Sequence, residues 1–307
     1  MRLFLRMLAR ECCLLVGICA LLSPLFLFRG TQPAFALAPK PPTDWSFYMF
    51  TPNSSQAYTL GCNQGKYDAG FTPVVDSEVV LDFGGPLGSG DGTLNYSAIE
   101  AASEQFALGY YVCTGSDSTS VLRLGLGTNN SADVTYNDGV AWANTVNVVA
   151  NWVSTHLTGQ VVIIGANDIE PGWSSFSAAK AWVQGFIDGG GKLYLNFGSA
   201  DGCPPYGSCS NGWTQDNVYY VSWYAPPALP APEIYNYQMA QEWASISLYG
   251  KQHYNYPLVF QGPWDEYDMD TSTLTSQQAW NDLWTDLNND SLPTTMPYSF
   301  EIHLASW

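Results

Sequence analysis

Apolar residues along this chain recur in two patterns that take turns. Short runs such as Glu78–Gly84 (EVVLDFG), Val121–Gly127, Val161–Ile164 and Lys192–Phe197 (KLYLNF) are apolar at consecutive positions, as strands buried on both faces read. Between them lie stretches with apolar residues three and four apart. Ser97–Leu108 carries Ile99, Ala102 and Phe106, Asp138–Leu157 carries Trp142, Val146, Val149 and Trp152, and Ser175–Asp188 carries Phe176, Ala179, Trp182, Val183 and Phe186. These predict helices with one buried face. Gln238–Tyr249 and Ser276–Leu287 read the same way, while Gly109–Cys113, Val218–Trp223, Glu233–Tyr235, Pro257–Gln261 and Tyr298–Leu304 read as further strands. Ser46–Thr51 reads either as a first strand or as an arm.

Strands alternating with helices predict a parallel sheet, and seven to nine strands suit a closed barrel. Cys113–Val121 and Trp223–Glu233 are too short to hold helices. The expected fold is therefore α/β: a single-domain, irregular (β/α)8 TIM-like barrel with some outer helices missing. A doubly wound open sheet is the alternative.

The N-terminus falls outside this pattern. Arg2, Arg6 and Arg10 precede an apolar stretch from Leu14 to Phe28, and Ala34-Phe35-Ala36 offers a cleavage site. The expected organisation is a secretory signal peptide over 1–36, an extended Pro-rich arm over 37–45 and the barrel over 46–307. A membrane anchor left uncleaved is the alternative localisation to a secreted protein.

Residues 1–36 carry four of the ten Lys and Arg and one of the 27 Asp and Glu; what remains has six basic and 26 acidic side chains, a formal charge of −20. Such a chain repels nucleic acid and anionic head groups, so neither is an expected partner. The same cut leaves Cys62, Cys113, Cys203 and Cys209. An even number in an exported chain predicts two disulfides, with Cys203–Cys209 closing a short loop and Cys62 paired with Cys113.

Candidate chemistry concentrates at strand ends. Asp82 closes one run, and Asp201 follows another in the loop Gly198–Cys203. In QVVIIGANDIEPGW (Gln160–Trp173), Asp168 and Glu170 stand two apart, so on an extended backbone both point the same way and Ile169 points oppositely. Carboxylates crowded together keep at least one protonated near neutral pH, which lets a proton donor stand beside an ionised partner. Cleaving a glycosidic bond needs that combination. Glu170, next to Pro171 and Trp173, is the expected general acid, with Asp168 and Asp82 supporting it and Asp201 as a further candidate.

Trp173, Trp223, Tyr235, Glu233 and Asn129 are the expected substrate contacts, aromatic faces being suited to sugar rings. His156, His253 and His303 are far apart in sequence, so neither a triad nor a zinc site is expected. Gly84–Gly92 lacks a P-loop lysine, and the acidic group Asp265, Glu266, Asp268 and Asp270 reads as a solvated loop rather than a calcium site. No metal and no cofactor are expected.

The motifs GTNNS (Gly127–Ser131), GANDIEPGW (Gly165–Trp173), NFGSADGC (Asn196–Cys203) and PEIY (Pro232–Tyr235) together resemble a largely uncharacterised group of exported bacterial glycoside-hydrolase-like barrels. More distantly, the chain resembles glycoside hydrolase family 25, the muramidases. In those an Asp ends the first strand, and a D-x-E pair ending a middle strand supplies the proton donor; the resemblance puts Asp82, Asp168 and Glu170 in these roles. It differs where Phe83-Gly84 follow Asp82 and in the GSADGC loop. The reading that results is an exported monomeric glycoside hydrolase acting on a polysaccharide or cell-wall glycan. A carbohydrate- or envelope-binding protein on the same barrel is the alternative.

Overall fold

The strands form one parallel eight-stranded sheet in the order β6-β5-β4-β3-β2-β1-β8-β7, which is the circular order of a (β/α)8 barrel. Backbone bonds across the remaining gap, from Trp264 N to Pro232 O (2.8 Å), from Ile234 N to Trp264 O (2.9 Å) and from Gln261 N to Pro230 O (2.8 Å), close the ring. An open doubly wound sheet is thereby ruled out. The computed structural model describes residues 40–85, 95–115, 117, 119–131, 134–157, 159–225, 228–269, 271–293 and 295–305. The expected signal peptide, the start of the arm, most of the Gly84–Gly92 loop and Asp270 lie outside these residues. No helix among them is long and apolar enough to cross a membrane.

In chain order the elements are β1 (Thr43–Tyr48), α1 (Ser54–Asp68), β2 (Ser77–Asp82), α2 (Tyr96–Cys113), β3 (Leu122–Asn129), α3 (Tyr136–His156), β4 (Val161–Asp168) and α4 (Phe176–Asp188). They continue with β5 (Tyr194–Asn196), α5 (Gln215–Tyr219), β6 (Ala228–Pro230), α6 (Tyr237–Tyr254), β7 (Trp264–Asp265), α7 (Ser276–Asn289) and β8 (Ser299–Leu304). β1 takes in three residues expected to belong to the arm. Val80, Ile164, Ala166, Leu195, Phe197, Trp264, Phe300 and Ile302 fill the barrel. Period-two alternation then fixes what lies beyond this core at the strand ends: Tyr48, Asp82 and Asp168 point inward above it.

Four expected strands are not strands; one of them, Glu233–Tyr235, makes only a single isolated bridge, from Glu233 to Trp264. Gly109–Cys113 is the last part of α2, because α1 and α2 touch closely through glycine: a Cβ at Gly109 would fall on the carbonyl of Tyr58, and one at Gly61 on that of Phe106. The Cys62–Cys113 disulfide ties the same pair of helices. Val218–Trp223 is helical as well. Thr214 and Asn217 form a reciprocal cap that starts α5, which runs on as one wide turn over Tyr220–Tyr224. Pro257–Gln261 contributes edge bonds only, and the strand there is the two-residue β7.

Helix α1 has no apolar stripe to announce it. Its buried face is Ala57, Gly61, Gln64, Gly65 and Asp68, small and polar groups that pack because the two backbones come so close. The other expected helices form, with Trp142, Val146 and Val149 of α3 and Ala179, Trp182, Val183 and Phe186 of α4 buried as their spacing predicts.

Candidate active site

The C-terminal ends of β1, β2, β4, β6 and β7 bring Tyr48, Asp82, Asp168, Glu170, Glu233 and Glu266 together above the core. Space for them comes from β3, where Gly125 and Gly127 face inward; a Cβ at either would lie 2.7 Å from the Val80 side chain. The expected shared space of Asp168 and Glu170 is present, with Ile169 buried on the opposite side. Glu233 joins them, and carboxylate oxygens of the three lie within 4.8 Å of one another.

Asp168 and Glu233 are 3% and 5% exposed, so they form the floor, whereas Glu170 is half-buried at the mouth. Asp168 Oδ1 accepts no hydrogen bond among the described residues. Burial, and then the charges of Glu170, Asp82, Glu266 and Asp201, hold the Asp168 carboxyl well above the usual carboxylate range. Glu233 is raised well above that range too, by burial and then by Asp168, Glu170 and Glu266. Glu170 is pushed up to about 7 by burial and by Asp201, opposed by hydrogen bonding with Ser199 and Glu233. Crowded like charges in a dry site resist ionising together, so protons remain in the cluster at neutral pH.

The backbone of Glu170 is clamped. The Asn130 side chain accepts from Glu170 N (3.0 Å) and donates to Glu170 O (3.1 Å) and Ser174 Oγ (3.0 Å). Asn196 Oδ1 takes the amide of Ile169 (3.2 Å). Behind the loop, Trp213 is buried and donates to Ser174 O (2.9 Å), and Ser175 caps α4. The chain thus leaves β4, presents Glu170 and enters α4 along a path fixed at each step.

Other expected residues have different duties. Asp201 accepts from the Gly172 amide and from Ser199 Oγ (2.8 Å), so both its oxygens join the β4 and β5 loops, and its place is beside the acids as a staple. Only glycine permits that contact, since a Cβ at 172 would lie 2.5 Å from Asp201 Oδ2. Asn129 commits its carbonyl oxygen to Ser131 N (3.1 Å) and Oγ (2.6 Å) within its own turn, and its neighbour Asn130 does the positioning. Trp223 sits on the helical segment after α5, in the outer layer rather than at a strand end.

Trp173 is 41% exposed on the lip beside Glu170, where an aromatic face is open to a ligand. Tyr235 hydrogen-bonds Glu233, and burial followed by Glu233 raises its hydroxyl well above the ordinary range. Asp82 Oδ1 receives the Gly84 amide (3.1 Å). It ends the second strand, not the first as the muramidase comparison expects; Tyr48 ends the first.

Sequence reasoning missed Tyr48, Glu266 and Asn130. Tyr48 donates to Glu266. The acidic run from Asp265 is not a solvated loop at its start: Asp265 lies in β7 and Glu266 follows it, both buried. The available signal was Trp264, a large apolar residue directly before the acids. The disulfides join Cys62 to Cys113 and Cys203 to Cys209.

Three carboxylates so close are also a donor set suited to a hard divalent cation such as calcium. No family model matches the chain and no curated protein matches it. Among solved structures, it is similar to a putative mandelate racemase/muconate lactonizing enzyme from Labrenzia alexandrii DFL-11 at 11% identity and a TM-score of 0.34, covering 86% of this chain and 47% of that one. A second is a putative sugar phosphate isomerase/epimerase from Anabaena variabilis ATCC 29413, at 9% identity and a TM-score of 0.33, covering 86% and 84%. The chain thus spans about half the length of the first of these.

Proposed function

We propose that this protein is an exported glycoside hydrolase acting on a polysaccharide or cell-wall glycan. The observation that carries the reading is the trio Asp168, Glu170 and Glu233, whose oxygens lie within 4.8 Å of one another and whose carboxyls are all raised. Glu170, at the mouth and held near 7, is the general acid that protonates the leaving glycosidic oxygen. Asp168 and Asp82 lie beneath it, and whichever of the two is ionised when Glu170 holds the proton stabilises the positive charge that develops at the anomeric carbon. Trp173 supplies a stacking face for a sugar ring. Export is supported by the basic, apolar N-terminus with its Ala-x-Ala site and by two disulfides.

The test is release of reducing ends from a panel of polysaccharides, peptidoglycan included. Glu170→Gln should lower the rate on the active polymer by about two to four orders of magnitude, the usual range for a general acid. Activity should survive EDTA; a loss on chelation that Asp268→Asn does not reproduce would give the trio to a cation instead. Binding of a polymer without turnover by both proteins would make this a carbohydrate-binding barrel.

A further inference from the structure

Beyond the acid well, we propose a second site on the outside of the barrel: a zinc-type divalent cation held by Asp268, Glu301 and His303. One donor atom from each lies within 4.8 Å of the others, with His303 Nδ1 4.0 Å from Asp268 Oδ2. The placement follows from the strand. Phe300 and Ile302 of β8 face the core, so Glu301 and His303 both face outward, two residues apart on one side. The turn Tyr267–Met269, just after β7, brings Asp268 over them.

Outward positions of barrel strands are ordinarily apolar, because helices cover them. Here the neighbouring strand keeps that rule with Trp45 and Phe47, and α1 lends Leu60. Together with Asn63, Asp268 and His303 these residues line a cavity of about 290 Å³. The His303 imidazole and the Asp268 carboxylate at this largely apolar cavity, with Glu301 beside them, form a mixed nitrogen and oxygen donor set, which suits zinc better than calcium. Tetrahedral donors at zinc distances stand about 3.4 Å apart. Asp268 Oδ2 and His303 Nδ1 need to close by only a fraction of an ångström, half of the Asp268 side chain being in solvent, and the cavity leaves the fourth position to water. The cation would tie β8 to the turn after β7, adjacent to Glu266 of the acid well.

The experiment is calorimetric titration of the untagged, EDTA-treated protein with ZnCl2, repeated with CoCl2 while recording visible absorption. One saturable site of micromolar or tighter affinity is expected, with cobalt bands of four-coordinate type and a higher Tm with zinc. Asp268→Asn, a change at a half-exposed position, and His303→Ala should each weaken it at least tenfold. The proposal is overturned by absence of saturable binding below millimolar zinc, by equal affinity in both variants, or by loss only in Asp168→Asn or Glu233→Gln, which would move the cation to the acid well.

Discussion

The two ends of the barrel bury acidic side chains in opposite ways. At the N-terminal end of the strands, Glu78 pairs with Arg123, whose guanidinium also donates to Gln261 Oε1 (2.5 Å) and lies 5.1 Å from the Tyr298 ring centre. Asp44 Oδ2 takes the Glu78 amide (2.9 Å), and Asp68 accepts from Gln64 (2.9 Å) and Ser77 (2.6 Å). At the C-terminal end, Asp168, Glu170, Glu233 and Glu266 face one another with Asp82. No lysine or arginine of the barrel is there: Lys40 and Arg123 lie among the acids at the other end, Lys66 and Lys251 are in the last turns of their helices, Lys192 precedes β5, and Lys180 covers Phe176 and Tyr220. Buried acids that have partners hold a fold together. Asp168, Glu170 and Glu233, set against each other with no counter-ion among the described residues, hold protons near neutral pH, which is a chemical capacity and does not help stability.

Removing one group from each end tests this difference. The largest stability effect is expected from Arg123→Ala, which leaves Glu78 buried without its counter-ion; a loss of about 3–5 kcal/mol in urea unfolding follows from breaking a buried pair on one side. Asp168→Asn should do the opposite, leaving stability unchanged or higher because a neutral amide replaces a carboxyl that burial and its neighbours keep from ionising. A fall of more than about 1 kcal/mol would mean that Asp168 supports the fold and that the two ends do not differ as described.

The smallest effect is a pH slope. Glu170 ionises at about 7 in the folded chain and near 4.5 when unfolded, so between those values the folded state holds more protons. Its contribution to stability therefore falls as pH rises from about 4.5 to about 7. Glu170→Gln carries no such proton and should show a shallower decline over that window. Glu78, also raised to about 7, contributes equally to both proteins and cancels in the comparison. Identical slopes would remove Glu170 from the proton-holding set. By the same sign, hydrolysis should decline above pH about 7 as the donor loses its proton.

What the chain's pattern determined by itself is local. Period-two alternation put Asp168 and Glu170 on one side of a strand, and four consecutive β-branched residues made that strand central. The 3.6-residue spacing of Trp182, Val183 and Phe186 made α4 follow it. Such features depend on neighbours within a turn or two, and these residues carry the whole signal. The α1 helix was hidden because its buried face is glycine, alanine and polar groups, and Val218–Trp223 was misread because its β-like composition lies beyond a helix-starting cap at Thr214. Only the tertiary structure brought Glu233 and Glu266 to Asp168, spent Asp201 on the Gly172 amide and chose Asn130 over Asn129. Those outcomes depend on strand order, on register and on which carboxyl oxygens remain without a partner once the barrel closes. They are properties of distances between residues up to about a hundred positions apart, and no window of sequence contains them.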